Sequence, residues 1–405
     1  MIKLYAVVES PLAENTLMKK TYLQHYEERK ANNLPPLAIN AVQTKSVVGH
    51  LIKGSDDDFY LDLLTHHVPP GVDEAAYVKA GFLTHVAKGE QACEAITQEH
   101  ATFLLGTMLG GYNIDSLIDL LEIDVTAEAA CQALSHTILI YEAYQRIIEK
   151  SAKNAFAKKV VNSWANADWY TSKSVMPEEV KVVVFRVDGE TNTDDLSPAT
   201  EAWSRPDIPL HAQSMLVKKM NKPFETIAKL KEKGLPLAYV GDVVGTGSSR
   251  KSAINSVLWH MGNPIDYIPN KNSGGVILGG KIAPIFFNTA EDSGVLPIEC
   301  DVSKLAMGDE ITIKPYAGVI INAAGETVST FELVPSTMPD EVRAGGRIPL
   351  IIGRGLTDKT RNDLDLPVSD VFLRPQDPTN SIAGFTLAQK IVGKACGVKG
   401  IRPGT

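Results

Sequence analysis

A short stretch in the second half of the 405-residue chain carries the residues best suited to bind and deprotonate a small acid. It reads Gly245-Thr246-Gly247-Ser248-Ser249-Arg250, and it follows the apolar run Leu237–Val240. Apolar residues at helical spacing then predict a helix over Ser252–Met261. A glycine turn before a helix leaves free backbone N–H groups at the positive end of the helix dipole. This arrangement favours a bound carboxylate or phosphate.

The side chains of this stretch add a cation and two hydroxyl groups. Arg250 contributes the cation, and Ser248 and Ser249 lie beside it, which suits a polyanionic acid with one serine acting as a base. The string lacks the Gly-Lys-Ser/Thr ending of a phosphate loop, and it does not match the dinucleotide fingerprint. Two plainer interpretations stay open: Ser249 as a helix N-cap and Arg250 as a member of a surface ion pair.

Arg205 is a second candidate for binding a carboxylate. It lies in a predicted loop, Trp203-Ser204-Arg205-Pro206-Asp207. A guanidinium group can bind a carboxylate through two parallel hydrogen bonds, which lysine cannot do. The alternative is an ion pair with Asp207 or Asp194. We expect Asp194 and Ser197 to hold their own loop together rather than to contact a substrate.

Three segments of the chain together resemble a known family. They are Thr191–Ala199 (TNTDDLSPA), Gly245–Ala253 (GTGSSRKSA) and Ala283–Ile298 (APIFFNTAEDSGVLPI). They are similar to signatures of the mobile "swivel" domain in the aconitase and isopropylmalate isomerase superfamily. Their order and spacing, with much of the flanking sequence, most resemble the bacterial type-B aconitases from about Tyr22 to Pro403.

This resemblance implies a reaction and residue roles. The family converts citrate to isocitrate through cis-aconitate in the tricarboxylic acid cycle, as a hydro-lyase, and 2-methylcitrate-type acids are an alternative substrate class. Ser248 occupies the place of the family's general base. Arg205, Ser248, Ser249 and Arg250 occupy places that bind substrate.

The cysteines indicate that the chain lacks the metal half of such a site. Cys93, Cys131, Cys300 and Cys396 form no Cys-x-x-Cys pair, so we expect no metal or cofactor in this chain. The resemblance implies a [4Fe–4S] cluster for the complete enzyme, on an iron–sulfur core that follows, covalently joined or separate. Alone, the chain is predicted to have no turnover. A cut product, a split gene and a stand-alone protein all remain possible origins.

Length and composition limit the classes of protein to which the chain can belong. The chain is long enough for two domains, and its formal charge of −8 argues against nucleic-acid binding over its whole surface. No apolar run approaches the roughly 20 residues of a membrane span, so no membrane partner is expected. The first residues do not resemble a secretory signal, which predicts a cytoplasmic protein.

The first part of the chain is predicted to be all helical. The helices form pairs about every forty residues, which indicates an α-solenoid, and the resemblance implies the HEAT-like type; a plain helical bundle is the alternative. The predicted helices are Asn15–Asn32, Ala38–Lys53, Asp57–His66, Asp73–Lys88, Thr97–Gly106, Ile114–Glu122, Ala127–Lys150 and Ala155–Asp168.

From about residue 172 the pattern changes to mixed strands and helices, which predicts an α/β domain. The resemblance implies residues 1–171 as a HEAT-like helical domain, 172–356 as the swivel domain and 357–405 as a linker to a missing core. The predicted strands are Lys181–Val187, Leu237–Val240, Val276–Leu278, Leu296–Glu299, Glu310–Ile313, Val319–Asn322 and Thr330–Leu333. The predicted helices are Gln213–Met220, Pro223–Lys233, Ser252–Met261, Ala283–Ser293 and Phe385–Val392.

Two interaction roles are implied as alternatives to catalysis. The helical domain could form a homodimer, or the chain could bind messenger RNA as a module derived from an aconitase. A third alternative is a small-subunit-like partner of a 3-isopropylmalate dehydratase. The small subunits of that family lack a helical repeat domain, which disfavours this alternative.

Overall fold

The computed structural model describes residues 11–54, 57–140, 142–248, 250–374 and 383–402. Its first part is built from helices, as predicted. These are α1 (Pro11–Lys30), α2 (Ala41–Lys53), α3 (Asp57–His66), α4 (Glu74–Ala87), α5 (Gln98–Gly106), α6 (Ile114–Leu120), α7 (Ala127–His136), α8 (Ala143–Ser151), α9 (Ala155–Asn166) and α10 (Asp168–Thr171).

Side-chain caps explain where several of these helices begin. Asp73 accepts hydrogen bonds from the amides of Ala75 and Ala76, and Thr97 accepts one from the amide of His100. Asn40 and Gln43 form a reciprocal capping box at the start of α2. Each cap satisfies amides that the helix itself cannot pair, so the observed starts lie within a few residues of the predicted ones.

The long helix predicted over Ala127–Lys150 is wrong, because the chain forms two helices there. α7 ends at His136, and the C-cap residue Thr137 is extended, with φ −86° and ψ 113°. The carbonyl of Leu134 accepts a hydrogen bond of 3.2 Å from the amide of Thr137 and one of 2.9 Å from the indole of Trp164. The break lets α7 and α8 both pack on α9.

The second part of the chain contains a seven-stranded sheet in the order β6-β5-β2-β1-β7-β8-β9. Strands β6, β5, β2 and β1 are parallel, and β7 to β9 continue the sheet as an antiparallel meander. β3 and β4 pair separately as a two-stranded sheet. The strands are β1 (Val180–Asn192), β2 (Leu237–Thr246), β3 (Asn263–Ile265), β4 (Ile268–Ser273), β5 (Val276–Ile282), β6 (Leu296–Glu299), β7 (Glu310–Lys314), β8 (Val319–Asn322) and β9 (Thr327–Thr330).

Both faces of the parallel strands are covered, which explains their unbroken apolar sequences. On β1, Val183 and Phe185 belong to one buried cluster, while Val182 and Val184 belong to the cluster on the other face. Neighbouring side chains of a strand point to opposite faces, so a strand buried on both sides needs apolar residues at every position.

Helices surround the sheet and continue to the end of the described chain. They are α11 (Thr193–Leu196), α12 (Ile208–Ala212), α13 (Pro223–Lys231), α14 (Lys251–Met261), α15 (Pro284–Glu291), α16 (Met338–Ala344), α17 (Arg347–Asp363) and α18 (Leu387–Ala395), with a 3₁₀ turn over Ala199–Ser204. None of the helices in the described ranges is both long and apolar enough to span a membrane.

Three predictions in this part are wrong. Residues 213–220 form turns, and the helix of this region is α12, which begins earlier because Asp207 caps it and Pro209 lies in its first turn. Asp188 and Gly189 do not end the first strand; they lie at a register shift within β1, where Gly189 has a φ of +72°. The last strand was predicted over Thr330–Leu333, but it is Thr327–Thr330, because these residues pair with β8.

The predicted start of the linker, residue 357, lies within a helix. Helix α17 runs through that position to Asp363, and Leu356 is buried in the core of the helical part. The hydroxyl of Thr357 accepts a hydrogen bond of 3.1 Å from the indole of Trp169. Thr357 and Thr360 are buried, and α17 packs against α9, so the chain is helical as far as Asp363.

Candidate functional site

The three segments that carry the resemblance meet at one edge of the sheet. β1, β2 and β5 are adjacent and parallel, so their carboxyl ends lie side by side. Thr191–Ala199 leaves the end of β1, Gly245–Ala253 leaves β2, and Ala283–Ile298 leaves β5. Direct contacts join them: Asn192 pairs with Thr246, and the amide of Ala283 donates to the carbonyl of Val244 at 2.8 Å. Crevices at such edges are the usual ligand sites of parallel sheets.

Two glycines make the turn after β2 possible. Gly245 has a φ of +77°, and a Cβ there would lie 2.1 Å from the ring of Phe286 on α15. Gly247 has a φ of +93°, and a Cβ there would lie 3.2 Å from the hydroxyl oxygen of Thr193. Both positions need a left-handed backbone, and Gly245 also needs the space that a side chain would fill. The loop is thereby held against the segments that follow β1 and β5.

The turn presents Ser248 at the surface and Arg250 at the start of α14. The hydroxyl of Ser248 is exposed and makes no hydrogen bond within the described residues. Ser249, predicted to bind substrate, lies outside the described residues. Arg250 is the N-cap residue of α14, with extended backbone and no capping bond from its own side chain.

Arg250 forms an ion pair with Asp194, one of the alternatives that the sequence left open. Its Nη1 atom also donates a hydrogen bond of 3.0 Å to the carbonyl of Ser197. The bond from Arg250 holds the pKa of Asp194 below its usual value, with smaller contributions from the amide of Ala199 and the charge of Arg205. Both bonds leave from Nη1, so the remaining donors of the guanidinium have no partner in the described parts of the chain.

Arg205 carries a charge without a protein partner among the described residues. It makes neither predicted ion pair: Asp194 is bound by Arg250, and Asp207 is bound by Arg29 at 2.6 and 3.0 Å. The Nε atom of Arg205 is buried and lacks an acceptor in the described structure. An unpaired buried donor costs about 1–3 kcal/mol of stability.

A buried hydrogen-bond chain that sequence reasoning missed lies beneath these groups. His211 bonds through Nε2 to the hydroxyl of Ser197 at 2.7 Å and through Nδ1 to that of Ser204 at 2.8 Å. Ser197 also bonds to the hydroxyl of Ser252, in the first turn of α14, at 2.7 Å. The chain thus connects the residue before Arg205 to the helix that follows Arg250.

Burial and the positive charge of Arg205 lower the pKa of His211, so the imidazole is neutral at pH 7. A neutral imidazole donates from one nitrogen and accepts at the other, which matches two serine hydroxyls. The prediction that Asp194 holds its loop is confirmed by its bond from the Ala199 amide at 3.1 Å. The side chain of Ser197 bonds to the side chains of His211 and Ser252, and its carbonyl accepts from Arg250. The one available signal for this region was Asp207 followed by Pro209, a typical helix start.

The cysteines do not fit the ligand set of an iron–sulfur cluster. Cys93 is in a loop of the helical part, Cys131 is buried in α7, Cys300 is buried after β6, and Cys396 is exposed after α18. Within the described ranges no group of three or more histidine, cysteine, aspartate or glutamate residues could hold a metal ion. The residues at the sheet edge are hydroxyls, guanidinium groups and one paired carboxylate, which suit an organic acid and not a soft metal centre.

Comparison with known proteins gives two family matches. Residues 21–170 match the family described as "Aconitate B N-terminal domain", and residues 182–385 match "Aconitate hydratase 2 N-terminus". The chain is 59% identical over 393 residues to aconitate hydratase B of Synechocystis sp., covering 96% of this chain and 45% of that protein. It is 56% identical over 402 residues to aconitate hydratase B of Escherichia coli, covering 96% of this chain and 46% of that protein.

A shorter match involves a different protein. The small subunit of 3-isopropylmalate dehydratase from Nitratidesulfovibrio vulgaris is 31% identical over 112 residues, which covers 27% of this chain and 60% of that subunit. The chain spans about half the length of the two aconitate hydratase B proteins that it matches.

Proposed function

Since the chain belongs to the aconitate hydratase B N-terminal family, we propose that its sheet edge supplies the substrate-binding and proton-removing half of an aconitate hydratase active site. The observation that carries this proposal is the meeting of three segments at the carboxyl ends of β1, β2 and β5. They bring together an exposed serine hydroxyl and the start of α14, and the charge of Arg205 acts on Asp194, which pairs with Arg250. The substrate is a tricarboxylate of the citrate, cis-aconitate and isocitrate series, with 2-methylcitrate-type acids as the second choice.

Each residue has a separate task in this proposal. The Arg205 guanidinium binds one substrate carboxylate, and the free donors of Arg250 bind a second, with Ser249 as a further hydrogen-bond partner. Ser248 then takes a proton from the carbon next to a carboxylate, and the electron pair of that C–H bond forms the new C=C bond. A serine needs its alkoxide stabilised, and the N-terminal end of α14 together with Arg250 places positive charge beside it.

The other half of the reaction removes a hydroxyl group, which needs a Lewis acid. The resemblance assigns this role to a [4Fe–4S] cluster on a core outside this chain, and the scattered cysteines provide no place for it among the described residues. We therefore expect no turnover from the chain alone. The iron–sulfur core is its proposed partner, in the same polypeptide or in a separate one, in the cytoplasm.

The finer architecture belongs to the same proposal. We propose a HEAT-like solenoid for residues 1–171, because helices contact the next but one along the chain: α2 with α4, α5 with α7 and α7 with α9. We propose residues 172–356 as the swivel domain, with α17 carrying the chain across the boundary with the linker over 357–405. Dimer formation and messenger-RNA binding stay predictions of the resemblance.

Turnover measurements test the proposal. The purified chain should not convert citrate, while the chain combined with the remaining, cluster-bearing part of the Escherichia coli relative should. Ser248→Ala in the combined protein should lower kcat by at least about 100-fold, as expected for loss of a general base. Ser174→Ala, at an exposed serine outside the site, is the control. Conversion of citrate by the chain alone, or a Ser248→Ala protein with unchanged kcat, would refute the proposal.

A further inference from the structure

An ion pair between the helical part and the sheet part lies next to Arg205. Arg29, near the end of α1, binds both carboxylate oxygens of Asp207, through Nη1 at 2.6 Å and Nη2 at 3.0 Å. The two side chains are only 11% and 16% exposed. The Nε atom of Arg29 also donates to the carbonyl of Pro35 at 2.8 Å, which fixes the guanidinium from its own side. This is a two-bond, largely desolvated pair, the kind with the strongest geometric preference.

Asp207 does more than accept this pair. Its amide donates to the carbonyl of Ser204 at 2.9 Å, which closes a tight turn around Arg205. Its carbonyl accepts from the amide of His211 at 2.9 Å, and its side chain caps α12 through the amide of Leu210 at 3.3 Å. The position of Asp207 therefore sets both the turn that carries Arg205 and the start of α12.

The Arg205 turn is consequently held at both ends. Ser204, on one side, is bonded to the buried His211. Asp207, on the other side, is bonded to Arg29 from a different part of the chain. A second contact also joins this region to the residues after α1: the side-chain amide of Gln213 donates to the carbonyl of Asn32 at 2.9 Å. The side chain of Arg205 has no hydrogen-bond partner in the described structure, so its direction is set by the backbone of this turn.

We infer that Arg29 is a positioning residue for substrate binding: the helical part of the chain uses it to hold Asp207 and thereby to aim Arg205 at the substrate carboxylate. This inference rests on the proposed function for its ligand. It gives the helical part a direct role in acid recognition, through a residue that does not itself contact the acid.

Two variants remove the pair in different ways. Arg29→Met keeps much of the side-chain volume and removes the charge. Asp207→Asn removes the charge and keeps a good N-cap, so α12 retains its cap. Lys159→Met is the matched control, because it removes an ion pair with Glu128 at 2.9 Å that is exposed and lies within the helical part. All measurements use the full chain.

Citrate titration by calorimetry is the first measurement. Arg29→Met and Asp207→Asn should each weaken citrate binding by about tenfold, since small misplacements of a binding group are costly. The double variant should lose no more than the weaker-binding single variant, because both break the same contact. Arg29→Lys should restore part of the affinity, and Lys159→Met should bind like the wild-type chain. Unchanged affinity in both single variants, or losses that simply add, would overturn the inference.

Hydrogen exchange separates a failure of the inference from a failure of the proposed function. Peptides covering residues 205–213 should exchange about tenfold faster in Arg29→Met and Asp207→Asn than in the wild-type chain, while those of β1 and β2 stay protected. If the wild-type chain takes no citrate, the proposed function fails, and exchange alone decides whether Arg29 holds this turn. Unchanged exchange at residues 205–213 would overturn the inference whatever the citrate result.

Discussion

Two regions of this molecule handle polar groups in opposite ways. At the junction of α9 and α10 with α16 and α17, the two large polar side chains are paired: the Trp169 indole donates to Thr357 and the Tyr170 hydroxyl donates to Asp340 at 2.6 Å. The rings of Trp169, Tyr170 and Phe372 pack with centroids 4.9 to 5.9 Å apart. At the sheet edge, Ser248 and Arg205 lack partners in the described structure.

The contrast teaches where to look for function. Paired donors and packed rings at a junction lower the free energy of the folded state. An edge with an unpaired guanidinium and an open helix start is less stable than it could be, and a bound anion would remove that deficit. Substitutions should therefore change stability at the junction and ligand affinity at the edge.

The largest effect is expected from Trp169→Ala at the junction. Trp169 is 1% exposed, and its removal leaves a cavity beside Gly353 and an unpaired Thr357. The free energy of unfolding should fall by about 3–5 kcal/mol, measured by urea denaturation. Trp203→Ala is the matched control, since Trp203 is 70% exposed. Equal losses in the two variants would contradict the assigned role of the junction.

Arg205→Met should lower citrate affinity and leave stability largely unchanged, the reverse of Trp169→Ala. Citrate affinity should fall by roughly 30- to 100-fold, because a charge-assisted hydrogen-bonded pair is lost. Stability should stay the same or rise, since the buried Nε without an acceptor disappears. Arg205→Lys should bind with intermediate affinity because it keeps the charge but not the two-bond geometry. A large loss of stability with unchanged affinity would show that Arg205 is structural.

A buried carboxyl group at the junction should make the stability of the protein depend on pH. Glu291 is 3% exposed and lies beside Glu341 and Arg347. Burial, and then the charge of Glu341, raise the pKa of Glu291 to about 7 from its ordinary 4.5. The folded state binds this proton more tightly, so the free energy of unfolding should decrease as the pH rises from 4.5 to about 7.

Glu291→Gln should remove most of that decrease, on the order of 2 kcal/mol, in denaturation curves measured across this pH range. The exposed carboxylate variant Glu128→Gln should keep the wild-type decline. A Glu291→Gln protein that declines as steeply as the wild type would assign the dependence to other groups.

The smallest effects are expected from Asp194→Asn, which removes a carboxylate at the sheet edge. Asp194 is 58% exposed, so losing its pair with Arg250 should change stability by less than about 1 kcal/mol. Citrate affinity should rise by about two- to fivefold, because a competing carboxylate is removed from Arg250. Weaker binding would instead mean that Asp194 is needed to hold Arg250 in place.

Local patterns in the sequence predicted much of the scaffold and part of the site. Continuous apolar runs such as Leu237–Val240 predicted the parallel strands, because strands covered on both faces need apolar residues at every position. Helices were predicted to begin at Asp73 and Thr97, and both residues cap helices there. The helix predicted after the glycine turn is confirmed as α14.

The features that the sequence did not predict depend on contacts between residues far apart in the chain. The break after α7 is stabilised by Trp164, thirty residues later, and α17 continues because Leu356 and Thr357 find partners near α9 and α10. The pair of Arg29 with Asp207 joins residues 178 positions apart. No local pattern of residue types marks such a partner, so these features follow only from the folded chain.

The most direct test of the central claim is a citrate titration of the isotopically labelled chain, followed by amide NMR. The account predicts saturable shifts concentrated at residues 191–199, 204–207 and 245–253, and their loss in Arg205→Met. Saturable shifts confined to other parts of the chain, or none at any citrate concentration, would contradict the claim that this edge binds the acid.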